Sequence, residues 1–186
     1  MPRSFISIEI EEEIKNRLTK IQNELVRTGA DLKLVEPENI HLTLRFLGDV
    51  PEDDLTEIKS AIQDSKKVIG PFKLQVKGMG VFPKPSYIRV IWAGVGNGSD
   101  ETTAIRKSLD QNLTEIDYPP DRKDYTPHLT IARVKTGKNK DSLNEIVNEN
   151  SEEDFGSCMV NGIELKESEL TPEGPIYSTI EKFEFD

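Results

Sequence analysis

Histidine occurs only twice in this chain, and both times in the same local pattern. His41 stands in NIHLTLR and His128 in PHLTIAR, so each is followed by Leu, Thr and an aliphatic residue. Given the first tetrapeptide, chance recurrence at the only other histidine is roughly one in a thousand from average residue usage. Imidazole titrates nearer neutrality than any other side chain, so one such group can accept a proton while a second donates one. Hydrolysis of a cyclic phosphodiester needs that division of labour. Water loses a proton as it attacks phosphorus, the departing ribose oxygen gains one, and hydroxyl or arginine donors hold the phosphoryl oxygens.

Strands are the elements that would position these groups. Residues two apart on a strand point to the same face, so His41 and Thr43 share one surface while Leu42 and Leu44 are directed to the core. His128 and Thr130 repeat the arrangement. If the two strands belong to facing lobes, the outcome is a cleft carrying two imidazoles and two hydroxyls. Strict alternation adds Arg45 to the His41 face, groups Ile40, Leu42, Leu44 and Phe46 on the opposite one, and turns Arg133 away from the His128 face.

The rest of the chain reads as an α+β alternation. RSFISIEI, residues 3–10, predicts a strand, and Ile14, Leu18, Ile21 and Leu25 predict a helix from about Glu11 to Thr28 with Gly29 as its stop. A short strand and a turn precede the His41 strand over 40–47, and a helix follows from Pro51 to near Gly70. FKLQVKGMGVF and YIRVIWAGV predict two strands joined through PKPS. GNGSDETT opens a helix with Ile105, Leu109, Leu113 and Ile116 on its apolar face, and the loop YPPDRKDYTP leads to the His128 strand over 128–134. KNKDSLNEIVNEN predicts a short helix, and CMVNGIELKESEL and IYSTIEKFEF predict two closing strands around the turn TPEGP. Helix and strand thus recur in the same order in both halves, as two lobes of a single unit spanning 1–186 would require.

Composition excludes several function classes. The net charge of −10 argues against wrapping long nucleic acid, which needs many Lys and Arg contacts, but leaves room for one local anion site. No apolar run reaches the roughly 20 residues of a membrane span, and the acidic turn after Ile10 does not suit a signal peptide. Cys158 is the sole cysteine, so there is neither an intrachain disulfide nor a thiolate cluster, and a cytoplasmic location is expected. Two histidines without an identifiable third ligand make a poor metal site, so no metal and no cofactor are expected. GVGNG, residues 94–98, lacks a Walker lysine and Rossmann spacing and reads as a turn. Phe46, Phe82, Trp92 and Tyr125 suit core packing first and stacking on a terminal base second.

Two H-x-T-x tetrapeptides at this separation resemble the 2H phosphoesterase superfamily. VEPENIHLTLRFLGDV, GMGVFPKPSYIRVIWAGV and YTPHLTIARVK are similar to its RNA 2′,3′-cyclic phosphodiesterase branch, the LigT-like proteins once called 2′-5′ RNA ligases. The resemblance runs from Phe5 nearly to the C-terminus. It implies a bilobal α+β fold, with two pseudo-twofold-related lobes whose antiparallel sheets face a central groove and whose helices lie outside. It also implies a monomer that opens 2′,3′-cyclic phosphate ends of RNA, or small cyclic nucleotides, to 2′-phosphates without metal, with 2′-5′ ligation as a side or reverse activity. Carried over by position, His41 and His128 are the acid/base pair, with His41 assigned to the leaving oxygen and His128 to water, and Thr43 and Thr130 are phosphate ligands. The family pattern H-x-T-x-x-R adds Arg133 ahead of Arg45, which demands a bulge or a strand end near Ala132 to turn that side chain around. The rival reading is a non-catalytic module that holds nucleotides or RNA ends in the same groove.

Overall fold

The computed structural model describes residues 3–120 and 124–186. In chain order these form β1 (Arg3–Ile8), α1 (Glu12–Arg27), β2 (Leu32–Leu34), β3 (Leu42–Asp49), α2 (Leu55–Ser65), β4 (Phe72–Lys84), β5 (Tyr87–Val95) and α3 (Ser99–Thr114). After these come β6 (His128–Val134), α4 (Lys140–Glu149), β7 (Asp154–Val160), β8 (Gly162–Thr171) and β9 (Gly174–Glu184). Part of the predicted YPPDRKDYTP loop, residues 121–123, lies outside the described residues.

The strands sort into two antiparallel sheets, β3-β1-β8-β9 and β2-β6-β5-β4-β7. Each half of the chain sends its elements to both. After β1 in the first sheet, α1 packs on β6 and β7 of the second; after β5 in the second sheet, α3 packs on β3 of the first. The route β1-α1-β3-α2-β4 is therefore repeated, with the sheets exchanged, by β5-α3-β6-α4-β8. This exchange is the bilobal pseudo-twofold arrangement that the resemblance implied, and it places the two histidine strands in equivalent positions.

Local chemistry explains the elements. Helix α1 buries Ile14, Leu18, Ile21 and Leu25 along one face, carries Glu12 and Glu13 in its first turn and Arg27 in its last, and is followed by Gly29 at φ 76°. Buried side chains from both sheets and all four helices join one continuous apolar cluster. The predicted strand CMVNGIELKESEL is in fact two: β7 ends at Val160 in the second sheet and β8 begins at Gly162 in the first, with Asn161 between them. A Cβ on Gly162 would stand 2.3 Å from the Phe183 carbonyl oxygen, so the crossover between sheets needs a glycine there.

Candidate active site

Both histidine strands break strict alternation at the same point. In β3, Ser7 opposes Thr43 and Ile6 opposes Arg45, leaving Leu44 as an extra residue; in β6, Trp92 opposes Thr130 and Ile91 opposes Ala132, leaving Ile131 as the extra one. One extra residue reverses the facing of everything beyond it. Consequently Leu44 and Arg45 are both buried and Phe46 turns outward at 65% exposure, while Ile131 and Ala132 are both buried and Arg133 turns outward. The expectation that Phe46 shares the core face of Ile40, Leu42 and Leu44 is therefore corrected, as is the placing of Arg45 beside His41 and Thr43.

A side chain from the exchanged helix braces each bulge. Arg106 of α3 donates to the Leu44 carbonyl at 2.7 Å, and Gln22 of α1 donates to the Ile131 carbonyl at 2.9 Å. Nothing in the periodicity of α1 or α3 marked these residues. The hydrogen-bonding demand of a buried bulge carbonyl is visible only once the bulge is known.

His41 lies just ahead of β3 with its Nδ1 2.6 Å from the Asn39 carbonyl and its Nε2 2.7 Å from Thr43 Oγ1. A carbonyl only accepts, so the proton sits on Nδ1, and neutral Nε2 accepts from the Thr43 hydroxyl. His128 uses the same device, with Nδ1 donating to the Thr126 carbonyl at 2.7 Å, which leaves Nε2 as the ring's accepting nitrogen. Burial pushes the His41 pKa below its ordinary value, against the opposing pull of the Asn39 carbonyl and of Glu9.

Aromatic rings frame both imidazoles. Phe5 stacks on His41 at 5.0 Å and Tyr177 meets it edge-on at 5.4 Å; Phe82 meets His128 edge-on at 5.1 Å, and Trp92 lies tilted at 6.1 Å. The Trp92 indole rests on Gly80, where a Cβ would come within 2.3 Å of its ring. Tyr125 instead bridges the lobes: its hydroxyl donates to the Thr43 carbonyl at 3.1 Å, and the Arg106 guanidinium lies 4.8 Å over its ring. Burial raises the Tyr125 pKa, so that hydroxyl stays a donor.

The two arginines beyond the bulges differ in kind. Arg45 is 2% exposed and donates to Asp110 at 2.8 Å and to the Phe46 and Tyr118 carbonyls, so its charge holds β3 against α3 and the chain after it. Arg133 is exposed on β6, and its charge tempers the burial-driven rise of the Tyr177 pKa. Tyr177 belongs to β9 of the other sheet and meets the His41 ring edge-on. Strands β3 and β6 themselves approach within 8 Å between Cα atoms.

Behind His41 is a polar cluster that the sequence reading missed. Lys166 of β8 holds Glu9 at 2.7 Å, and Thr179 donates to Glu164 at 3.2 Å. Burial works to raise the Glu9 pKa, but the Lys166 hydrogen bond and charge win and bring it down. Glu164 is pushed up by burial and by the neighbouring charge of Glu9. Among the described residues no group of three or more His, Cys, Asp or Glu side chains is placed to hold a metal ion. No described helix is long and apolar enough to cross a membrane.

Comparison with known proteins decides the family. The family described as LigT like Phosphoesterase matches residues 8–92 and 95–177, which takes in both tetrapeptides and both bulges. The chain belongs to the LigT-like phosphoesterases. Its relatives include the RNA 2′,3′-cyclic phosphodiesterase of Methanothermobacter thermautotrophicus, 41% identical over 181 residues and covering 97% of each chain. The protein of the same name from Methanocaldococcus jannaschii is 40% identical, covering 97% of this chain and 99% of its own. Among solved structures, TT0787 of Thermus thermophilus superposes with a TM-score of 0.82 at 29% identity, covering 98% of this LigT-like chain and 97% of its own. Escherichia coli LigT complexed with 3′-AMP shares the fold, with a TM-score of 0.75 at 19% identity, covering 99% and 98%.

Proposed function

We propose that this LigT-like phosphoesterase hydrolyses the 2′,3′-cyclic phosphate at RNA ends to a 2′-phosphate, without metal, using His41 and His128 as a proton-transfer pair. The observation that carries the reading is the matched construction of the two strands. Each fixes an imidazole through Nδ1 on a carbonyl two residues back, sets a threonine hydroxyl on the same face, and bulges at the residue after that threonine. A binding module needs no such pair of identically oriented titrating groups.

His128 Nε2 takes a proton from water as it attacks phosphorus, and His41 Nε2–H protonates the departing ribose 3′-oxygen. Burial makes the His41 imidazolium a strong acid, the negative charge of the bound phosphate favours its protonated form before the step, and proton exchange with solvent afterwards returns both rings to their starting states. Thr43 and Thr130 donate to the phosphoryl oxygens, and Arg133 neutralises the charge that gathers on them. With the 5′-hydroxyl of a second RNA in place of water, the same groups break the bond from phosphorus to the 3′-oxygen and join the two ends through a 2′-5′ linkage, and attack by that 3′-hydroxyl reverses the step. The test is the purified protein in EDTA with a 2′,3′-cyclic nucleotide and with RNA ending in that group. Turnover to a 2′-phosphate is expected. Tight binding of both without turnover would establish the non-catalytic module instead.

A further inference from the structure

One end of the second sheet is electrostatically unlike the rest of the molecule. The protein carries 34 carboxylates against 24 cations, yet 71–99 and 125–140 contain no Asp or Glu at all. These stretches form β4, β5 and β6, which lie side by side. At their hairpin end Arg133, Lys33, Arg89, Lys135 and Lys140 gather, and among the described residues none is within ion-pair distance of a carboxylate. The carboxylates nearest in the chain, Asp31, Asp141 and Glu145, form no ion pair with them either.

The cations are arranged as a path. Lys33 of β2 and Val90 of β5 flank Arg133, placing Arg89 and Lys33 beside it. Lys135 follows two residues on. A cavity of about 130 Å³ then opens where the strands end, lined by Tyr87, Arg89, Lys135, Thr136 and Lys140. Its walls are held in place: Arg89 donates to the Tyr87 hydroxyl at 2.8 Å, and Asn144 of α4 donates to the Pro85 carbonyl at 2.9 Å. Tyr87 is 54% exposed and offers a ring to its surroundings. Lys135 is five residues beyond Thr130, roughly 15 Å along the strand, too far to serve the nucleotide that reacts.

We infer that this end of the sheet is the docking track for the single-stranded RNA leading to the reacting end, with the Arg89–Lys135–Lys140 cavity holding an upstream phosphate. The inference rests on the reading of Arg133 as the phosphate-side arginine, from which the track continues. Unpaired cations in a strongly acidic protein fit a polyanion, and an exposed tyrosine beside them fits a base of the same strand. The acidic remainder of the surface repels nucleic acid everywhere else, which directs the strand to this end.

The test compares Arg89→Ala/Lys140→Ala with the unaltered protein on a 2′,3′-cyclic mononucleotide and on a short RNA with the same end. The double variant should raise KM for the RNA and leave the mononucleotide kinetics and Tm unchanged. The loss of two phosphate contacts should also remove about a sevenfold salt effect on that KM between about 50 and 200 mM. Equal effects on both substrates, or none on either, would overturn the track. If the unaltered protein hydrolyses neither substrate, the catalytic reading fails by itself. Binding of an RNA with an ordinary 3′ end, followed by fluorescence anisotropy, then decides the track: weaker binding by the double variant supports it and unchanged binding refutes it.

Discussion

Replacing Arg45 and Arg133 by methionine separates the two outward-versus-inward fates that the bulges impose. Arg45 is buried against Asp110 and two carbonyls, so Arg45→Met strands those acceptors. Breaking a buried pair from one side costs about 3–5 kcal/mol. Asp110 keeps Arg106 at 2.9 Å and is partly exposed, which puts the expected cost at the lower end, about 3 kcal/mol. For a chain of this length that corresponds to a Tm lower by about 6–12 °C. Once folded at 25 °C, the variant should retain most of its kcat/KM. Arg133→Met removes an exposed charge, so Tm should move by no more than about 2 °C. Losing a charge-assisted contact of about 1.5–3 kcal/mol to the phosphoryl oxygens should lower kcat/KM by about 10- to 150-fold. Differential scanning fluorimetry and steady-state assays on a cyclic nucleotide read both effects. An Arg45→Met protein with unchanged Tm and lost turnover, or an Arg133→Met protein with unchanged turnover, would refute the bulge argument.

His41→Asn and His128→Asn should each lower kcat by about 10²- to 10⁴-fold, with Tm nearly unchanged, because each ring supplies proton transfer. In an NMR titration of the free protein His41 should reach its midpoint below 6.5, since burial disfavours its charged form. The unfolded chain then takes up a proton that the fold refuses, so the His41 contribution to stability, present above 6.5, is lost as pH falls through the folded midpoint. Inorganic phosphate should raise that midpoint, and phosphate affinity should rise as pH falls through the same window; an unmoved midpoint would count against an anion beside the ring. Gly80→Ala forces the Trp92 indole off its seat and should raise KM for cyclic nucleotides through His128 and Thr130, an effect that measurement of KM against kcat will show.

Much of this architecture was legible in the chain. The helix stops, the hairpin turns and the placement of His41 with Thr43 and of His128 with Thr130 follow from periodicity and from the twofold spacing of strands. The facing of Arg45, Phe46 and Arg133 did not, because alternation counts residues and cannot register one that is extra. The family pattern demanded a bulge or a strand end near Ala132, and the structure has a bulge one residue earlier, at Ile131, with the strand continuing to Val134. Its counterpart at Leu44 went unsuspected because the first tetrapeptide has no arginine five residues on, only Phe46. Gln22, Arg106, Lys166 and Glu164 were beyond reach for a related reason. Their partners come from distant parts of the chain, and local pattern carries no record of that proximity.

Proton transfer by the two imidazoles depends on where phosphorus sits. A crystal structure with a nucleoside 2′-phosphate bound should show Nε2 of His41 and Nε2 of His128 both within about 2.6–3.2 Å of oxygens on the same phosphorus or its ester. A phosphate held elsewhere, or touching one imidazole while the other faces away, would contradict it.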